Sequence, residues 1–105
     1  MEPDCIVCRQ GKPLDVIGEL PTVWVTAPVK APLPAYACVV AKRHVVEPFE
    51  LDEPAMTAFW AESMSVAAAL TELMRPLKMN YEIHGNTIPH LHLHLYPRFA
   101  GVRAY

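Results

Sequence analysis

Three of the five histidines in this chain, His90, His92 and His94, alternate with leucines in one short segment. Side chains of a β-strand point to opposite faces with a period of two, so the imidazoles share one face and the leucines the other. Imidazole is the side chain whose ordinary pKa lets it donate, accept or attack near neutral pH. The spacing therefore predicts a strand that buries its leucines and presents a row of reactive imidazoles.

A phosphate group suits this row better than one shared metal ion does. Two histidines at i and i+2 can converge on one zinc, but His90 and His94 would lie roughly 13 Å apart on a straight strand. Imidazole N–H groups donate to phosphoryl oxygens, and a neutral imidazole can attack phosphorus. His92 is the best-placed nucleophile because it has a helper on either side. The alternative, three surface histidines on an edge strand, is disfavoured by the strict alternation.

A second group of ligand-type residues opens the chain, where Cys5 and Cys8 have the spacing that places two thiolates on one tetrahedral ion. The alternative is a pair of reduced, partly buried thiols. Cys38 lies in an apolar run and is predicted to be a small core residue. Three cysteines do not form a disulfide framework, which predicts a reducing, cytoplasmic location.

The composition predicts a single domain spanning residues 1–105 that binds neither long nucleic acid nor membranes. The formal net charge is −2 and 52% of the residues are hydrophobic, so the chain can bury a core but offers no basic face. No apolar stretch approaches the length of a membrane span, and the acidic N-terminus does not resemble a signal peptide.

The surrounding pattern predicts an α+β fold with a mainly antiparallel sheet. A long helix should begin at Asp52, which can cap it, and end before Pro76. Residues 27–34 are predicted to form a loop, and residues 84–87 a turn with a solvated His84. Strands are predicted over 14–20, 22–26, 36–42 and 79–83 and from His90 to Pro97. The helix is predicted to bury Met56, Phe59, Trp60, Met64, Ala67, Leu70 and Met74.

The triad resembles the signature His-x-His-x-His-x-x, with x apolar, of the histidine triad (HIT) superfamily of nucleotide hydrolases and transferases. The Cys5–Cys8 pair, the segment 39–44 and the Pro97-Arg98 dipeptide are also similar to the family pattern. The resemblance covers roughly residues 5 to 98. It implies a five-stranded, mainly antiparallel sheet with one long helix and a short N-terminal element, in a homodimer that joins two sheets.

The resemblance also implies catalytic roles for the three histidines. His92 would attack the α-phosphate and form a transient nucleotidyl-histidine, His94 would contact the phosphate near the leaving group, and His90 would shape the site. The chain departs from many members at Tyr36, where they have histidine, and in having no acidic residue in the loop 26–34 to bind ribose. The residues expected against the substrate are Thr87, Asn80, Asn86 and Tyr36.

Some members of the family bind zinc through the cysteine pair, the histidine before the long helix and the first triad histidine. The matching residues here are Cys5, Cys8, His44 and His90, which implies a structural zinc ion and no organic cofactor. The expected activity is hydrolysis of nucleoside phosphoramidates or dinucleoside polyphosphates. The alternatives are a nucleotidyl transferase and a nucleotide-binding or zinc-stabilised interaction module with little turnover. In the transferase branch the third triad histidine is often glutamine, so His94 favours hydrolysis.

Overall fold

A five-stranded antiparallel sheet positions every element of the chain in the computed structural model, which describes residues 5–28 and 34–100. Residues 29–33 of the predicted loop lie outside the described residues. In chain order the elements are α1 (Ile6–Gln10), β1 (Val16–Glu19), β2 (Val23–Thr26), β3 (Ala37–Ala41), a 3-10 turn (Pro48–Glu50), α2 (Glu53–Met74), β4 (Lys78–Ile83) and β5 (His92–Arg98). All four strand pairings are antiparallel and the strand order is β1-β2-β3-β5-β4, which confirms the predicted fold class.

The leucines of the histidine segment form the centre of the main core, as their alternation predicts. Leu91, Leu93 and Leu95 are at most 1% exposed and belong to the same buried cluster as Phe59 of α2. Burying each leucine stabilises the fold by roughly 1.5–3 kcal/mol. A register slip of one residue would place the histidines in this core, so the leucine face also determines which way the imidazoles point.

The long helix begins and ends where its sequence signals predict. The Asp52 side chain accepts a hydrogen bond from the Ala55 backbone N–H over 3.0 Å. At the other end Arg75 adopts a left-handed conformation (φ 54°) and its N–H donates to the Thr71 carbonyl, after which Pro76 prevents continuation.

The band of buried residues along α2 is narrower than the helical spacing of its apolar residues predicts. Trp60, Met64 and Met74 are 36–42% exposed, and the prediction that they are buried is wrong. The helix packs on only one face of the sheet, against β2, β3 and β5, so residues to either side of the contact line stay accessible. The helix residues that are buried are Phe59, Ser63 and Ala67.

The histidine strand is displaced along the chain relative to the prediction. It begins at His92, because the Leu91 backbone N–H donates to the Val45 carbonyl (2.7 Å) rather than to a neighbouring strand. It continues through Pro97, because β3 pairs with β5 only as far as Leu95, so the missing proline N–H removes no hydrogen bond to β3.

The short helix α1 covers part of the opposite face of the sheet. Val7 packs with Cys38 and Val40 of β3, whereas Val39 of the same strand faces α2. Cys38 is 6% exposed, which confirms its prediction as a core residue. Because α1 lies on the face that carries the histidines, it forms one wall of the space in front of them. Within the described ranges, no helix combines the length and apolar character needed to cross a bilayer.

Candidate functional site

The His92 ring has its tautomer assigned by a single contact. Its Nδ1 lies 2.5 Å from the backbone carbonyl oxygen of His90. A carbonyl oxygen only accepts, so Nδ1 carries the proton of the neutral ring and donates it, leaving the lone pair on Nε2. This is the form in which an imidazole can act as a nucleophile.

The His94 ring is held in a more enclosed environment than the His92 ring. Its Nδ1 lies 2.5 Å from the Tyr36 hydroxyl oxygen, and its Nε2 is buried with no hydrogen-bond partner among the described residues. Burial lowers the pKa of His94 to about 4, with smaller contributions from the neighbouring His92 and His84. The ring is therefore neutral at pH 7.

Two cavities of about 280 and 270 Å³ meet at His92 and His94. The first lies under α1 and is largely apolar, with Val7 and Val40 among its lining residues. The second is lined by the turn between β4 and β5, which follows Ile83. The two imidazoles thus stand at the boundary between an apolar compartment and a more polar one.

The structure brings together most of the residues predicted to contact a substrate. Asn86 and Thr87 line the second cavity, and Tyr36 lines the first. Asn80 lines neither of them, and its Oδ1 accepts a hydrogen bond from Arg98 Nε over 2.7 Å. Its position in β4, opposite Tyr96, places it beyond the triad.

A fourth imidazole at this site was not predicted from the sequence. The centroid of the His84 ring lies 4.8 Å from that of His94, and its Nε2 lies 3.0 Å from a carboxylate oxygen of Glu82. Glu82 pairs with His94 across β4 and β5, and His84 follows two residues later, directly after the end of β4, beside the third triad histidine. The local sequence pattern does not contain this pairing register.

A separate cluster next to the triad could hold a metal ion. The Sγ atoms of Cys5 and Cys8 and one ring nitrogen each of His44 and His90 all lie within 4.8 Å of one another. Cys8 Sγ lies 3.1 Å from His44 Nδ1, Cys5 Sγ lies 3.3 Å from His90 Nδ1, and the two Nδ1 atoms are 3.2 Å apart. Two sulfurs and two nitrogens at such spacings fit a tetrahedral ion with bonds of about 2.0–2.3 Å.

The surroundings of His90 also fit a metal ligand. Its Nε2 donates to the Ala41 carbonyl over 2.6 Å, which leaves an unprotonated Nδ1 facing the cysteines. Burial lowers the pKa of His90, which is only 1% exposed, so the ring is neutral as a ligand must be. With both nitrogens engaged, the His90 side chain does not reach the two cavities, and it acts on His92 through its backbone carbonyl.

The sheet, the alternating histidines and the paired cavities together define a histidine triad protein. The family model for the HIT domain matches residues 9–101, and the chain belongs to this family. Cys5 and Cys8 lie before the matched region, so the candidate metal centre draws half of its ligands from outside it.

Solved structures agree with this assignment. The chain is 33% identical to a histidine triad protein from Bradyrhizobium japonicum, with a TM-score of 0.77, covering 86% of this chain and 67% of the other. A histidine triad protein from Marinobacter aquaeolei is 27% identical, with a TM-score of 0.77 and coverages of 86% and 66%. A HIT family protein from Bacillus anthracis is 22% identical and shares the fold, with a TM-score of 0.81 and coverages of 100% and 82%. No curated protein sequence matches the chain.

Proposed function

We propose that this protein hydrolyses nucleoside phosphoramidates or dinucleoside polyphosphates at the α-phosphate, through a nucleotidyl intermediate on His92. The observation that carries the proposal is the hydrogen bond from His92 Nδ1 to the His90 carbonyl. This hydrogen bond leaves the lone pair on Nε2, and the His92 ring borders both cavities. A phosphorus atom at their junction would meet this lone pair.

The first step is attack of His92 Nε2 on the α-phosphorus. The bond from Nε2 to phosphorus forms as the bond to the leaving group breaks, and the leaving group takes the electron pair and, where it is an amine, a proton from the solvent. The ring becomes positively charged, and the His90 carbonyl that accepts from Nδ1 stabilises that charge. Asn86 and Thr87 line the cavity into which the leaving group would extend.

In the second step water attacks the same phosphorus from the side the leaving group vacated. Water releases one proton to the solvent, the phosphorus–nitrogen bond breaks and its electrons return to Nε2, and a nucleoside monophosphate leaves with the hydroxyl group. The apolar cavity under α1 is the compartment that suits the nucleoside, because its wall includes Ile6, Val7 and Val40.

We also propose that Cys5, Cys8, His44 and His90 hold a structural zinc ion. A bound zinc would tie α1 to the sheet and hold the first triad histidine in place. Elemental analysis of protein purified without added metal should find close to one zinc per chain, and less than a tenth would contradict the assignment. Cys8→Ser should lower the zinc content, whereas Cys38→Ser, at a core cysteine outside the cluster, should retain it.

A homodimer is proposed from the free edge of the sheet. β4 is an edge strand, and Leu73, Leu77 and Tyr81 around it are 75%, 76% and 46% exposed. A second copy pairing along this edge would cover the apolar side chains and join two sheets, as the family resemblance implies. Tyr81→Lys should shift the protein to monomer in sedimentation equilibrium, whereas Phe49→Lys, at an exposed residue of the 3-10 turn, should not.

A nucleotide-binding module with little turnover is the second candidate. It is favoured by Tyr36 in place of the family histidine and by the lack of any carboxylate among the described residues that line the two cavities. Such a module would bind a nucleotide without a covalent step.

The experiment that separates the two candidates is a rapid-quench assay with substrate labelled at the α-phosphate. The hydrolase should show transient label on the protein, sensitive to acid as a phosphorus–nitrogen bond is, followed by release of labelled monophosphate. The His92→Asn variant should retain nucleotide binding and acquire no label. Binding by the unaltered protein without label or monophosphate, across adenosine and guanosine substrates, would favour the module. Transfer of the label to phosphate or a sugar phosphate in preference to water would instead identify a transferase.

A further inference from the structure

The hydroxyl group of Tyr36 lies 2.5 Å from Nδ1 of the third triad histidine. We propose that Tyr36 is a positioning residue that locks His94 in the tautomer with its proton on Nε2, so that this N–H donates to the leaving group. The role in catalysis depends on the proposed hydrolase function, whereas the tautomer itself does not. Tyr36 thereby becomes a determinant of which leaving groups the site can expel.

The His94 ring packs against four other aromatic rings, and the two tyrosines among them lie on the same side of it, with centroids 4.8 Å apart. The Tyr36 and His94 rings are stacked, with centroids 5.8 Å apart and an interplanar angle of 24°. Tyr96 stacks on the same imidazole with a centroid distance of 5.9 Å and an angle of 14°. The contact between Tyr36 Oη and His94 Nδ1 is 2.5 Å, so Nδ1 is the nitrogen that faces the tyrosine.

The direction of this hydrogen bond follows from the groups that surround Tyr36. Burial raises the pKa of the Tyr36 hydroxyl, so it keeps its proton and has one donor to place. Its neighbours include His94 Nδ1, 2.5 Å away, and the Cys38 thiol. An imidazole nitrogen is a much stronger acceptor than a thiol sulfur. The phenolic proton therefore goes to Nδ1.

Nε2, on the other side of the His94 ring, is then an N–H donor without an acceptor among the described residues. A neutral imidazole that accepts at Nδ1 carries its proton on Nε2. Nε2 is buried and lacks a partner in the part of the chain that the structure describes. A buried N–H without an acceptor is unfavourable unless a ligand supplies one. His94 lines both cavities, and a leaving-group oxygen or nitrogen at their junction is the acceptor that fits.

The charge state makes this donor independent of pH over the physiological range. His94 is neutral at pH 7 because its surroundings disfavour the imidazolium form, and the groups that face it are His84, His92, Tyr36, Tyr96 and Glu82. A neutral imidazole without a fixed tautomer would present Nε2 as an acceptor for part of the time, and an acceptor would repel a departing anion. The hydrogen bond from the Tyr36 hydroxyl to Nδ1 excludes the tautomer in which Nε2 is an acceptor.

Nitrogen NMR of histidine-labelled protein at pH 7 tests the tautomer directly. The His94 signals, assigned by their loss in His94→Asn, should show a protonated Nε2 and an unprotonated Nδ1. In Tyr36→Phe they should shift towards a mixture of both tautomers. Tyr96→Phe is the matched control, because it removes a hydroxyl from the other stacked ring and should leave the pattern unchanged. A protonated Nδ1 in the unaltered protein would overturn the proposal, whether or not the protein is a hydrolase.

Kinetics then test the role in catalysis. Across nucleoside phosphoramidates whose leaving amines differ in basicity, Tyr36→Phe should lower kcat by about tenfold for the most basic amine and progressively less for weaker ones. KM should change little, and Tyr36→His should restore part of the loss because its ring N–H can also donate. An equal loss for all leaving groups would indicate a structural role and contradict the inference. If the unaltered protein turns over none of them, the hydrolase proposal fails while the NMR result still decides the tautomer.

Discussion

The two ends of the histidine row illustrate how one residue type acquires different roles. At one end His90 is 1% exposed, with one nitrogen on the Ala41 carbonyl and the other among the cysteines. At the other end His92 and His94 are partly exposed, and among the described residues each uses only Nδ1. A histidine with both nitrogens engaged holds structure together, whereas one with a single nitrogen engaged can act on a ligand.

The largest expected difference between the two ends is in turnover. His92→Ala should lower kcat by a thousandfold or more, because it removes the nucleophile of the proposed covalent step. The free energy of unfolding should change by less than about 1 kcal/mol, since the ring is only partly buried. Steady-state kinetics and urea denaturation on the same preparation measure both effects. Turnover within tenfold of the unaltered protein would remove His92 from the mechanism.

The opposite pattern is expected at His90, where a substitution should mainly lower the free energy of unfolding. His90→Ala removes a buried ring, its hydrogen bond to Ala41 and one candidate metal ligand, and should cost about 2–4 kcal/mol of unfolding free energy. Zinc content should fall in the same variant. A protein that unfolds at the same urea concentration as the unaltered chain, with its zinc retained, would show that the two ends do not differ as the geometry indicates.

A pH titration of stability sharpens the comparison within the reactive end. The folded state lowers the pKa of His94 from 6.5 to about 4, so between these values the unfolded chain binds more protons. The contribution of neutral His94 to the free energy of unfolding is therefore fully present above about pH 6.5 and is lost as the pH falls towards 4. The free energy of unfolding should decline over this window in the unaltered protein and decline less in His94→Gln. Parallel curves for the two proteins would contradict the assignment of a buried neutral ring.

The smallest expected effect serves as a reference for the others, since it comes from a residue that belongs to neither end of the histidine row. Asp52→Ala removes the side chain that caps α2 and should lower the unfolding free energy by about 1 kcal/mol. Activity and zinc content should both be unchanged. A loss of turnover in this variant would show that general destabilisation, and not the chemistry of single rings, accounts for losses elsewhere.

The fold was largely predictable because its local signals agree with one another. The alternation around His92, the cap at Asp52 and the stop at Pro76 each correspond to an element that the structure contains. Errors arose where a neighbour determined the outcome. Trp60 matches the helical period of the buried residues yet stays accessible, because the sheet covers only one narrow face of α2.

The residues of the site were also largely predictable, whereas their interactions were not. The spacing of Cys5 and Cys8 indicates a metal site, and the family resemblance adds His44 and His90. Only folding brings the four ligand atoms within 4.8 Å of one another. His84 was predicted to be a solvated turn residue, and it lies over His94 because the register of β4 and β5 returns it there. Register depends on the pairing of whole strands, which a local pattern does not contain.

The amino-acid sequence alone determined which face of β5 is buried and which residues are able to do chemistry, because alternation and side-chain type are local properties. Only the tertiary structure decided which nitrogens of His90 and His94 are engaged. That choice depends on the Ala41 carbonyl, the Tyr36 hydroxyl and the Cys5 thiol, which come from in or next to β3 and α1, tens of residues away in the chain. A tautomer is set by whichever partner lies within about 3 Å, and such proximity between distant residues exists only once the chain has folded.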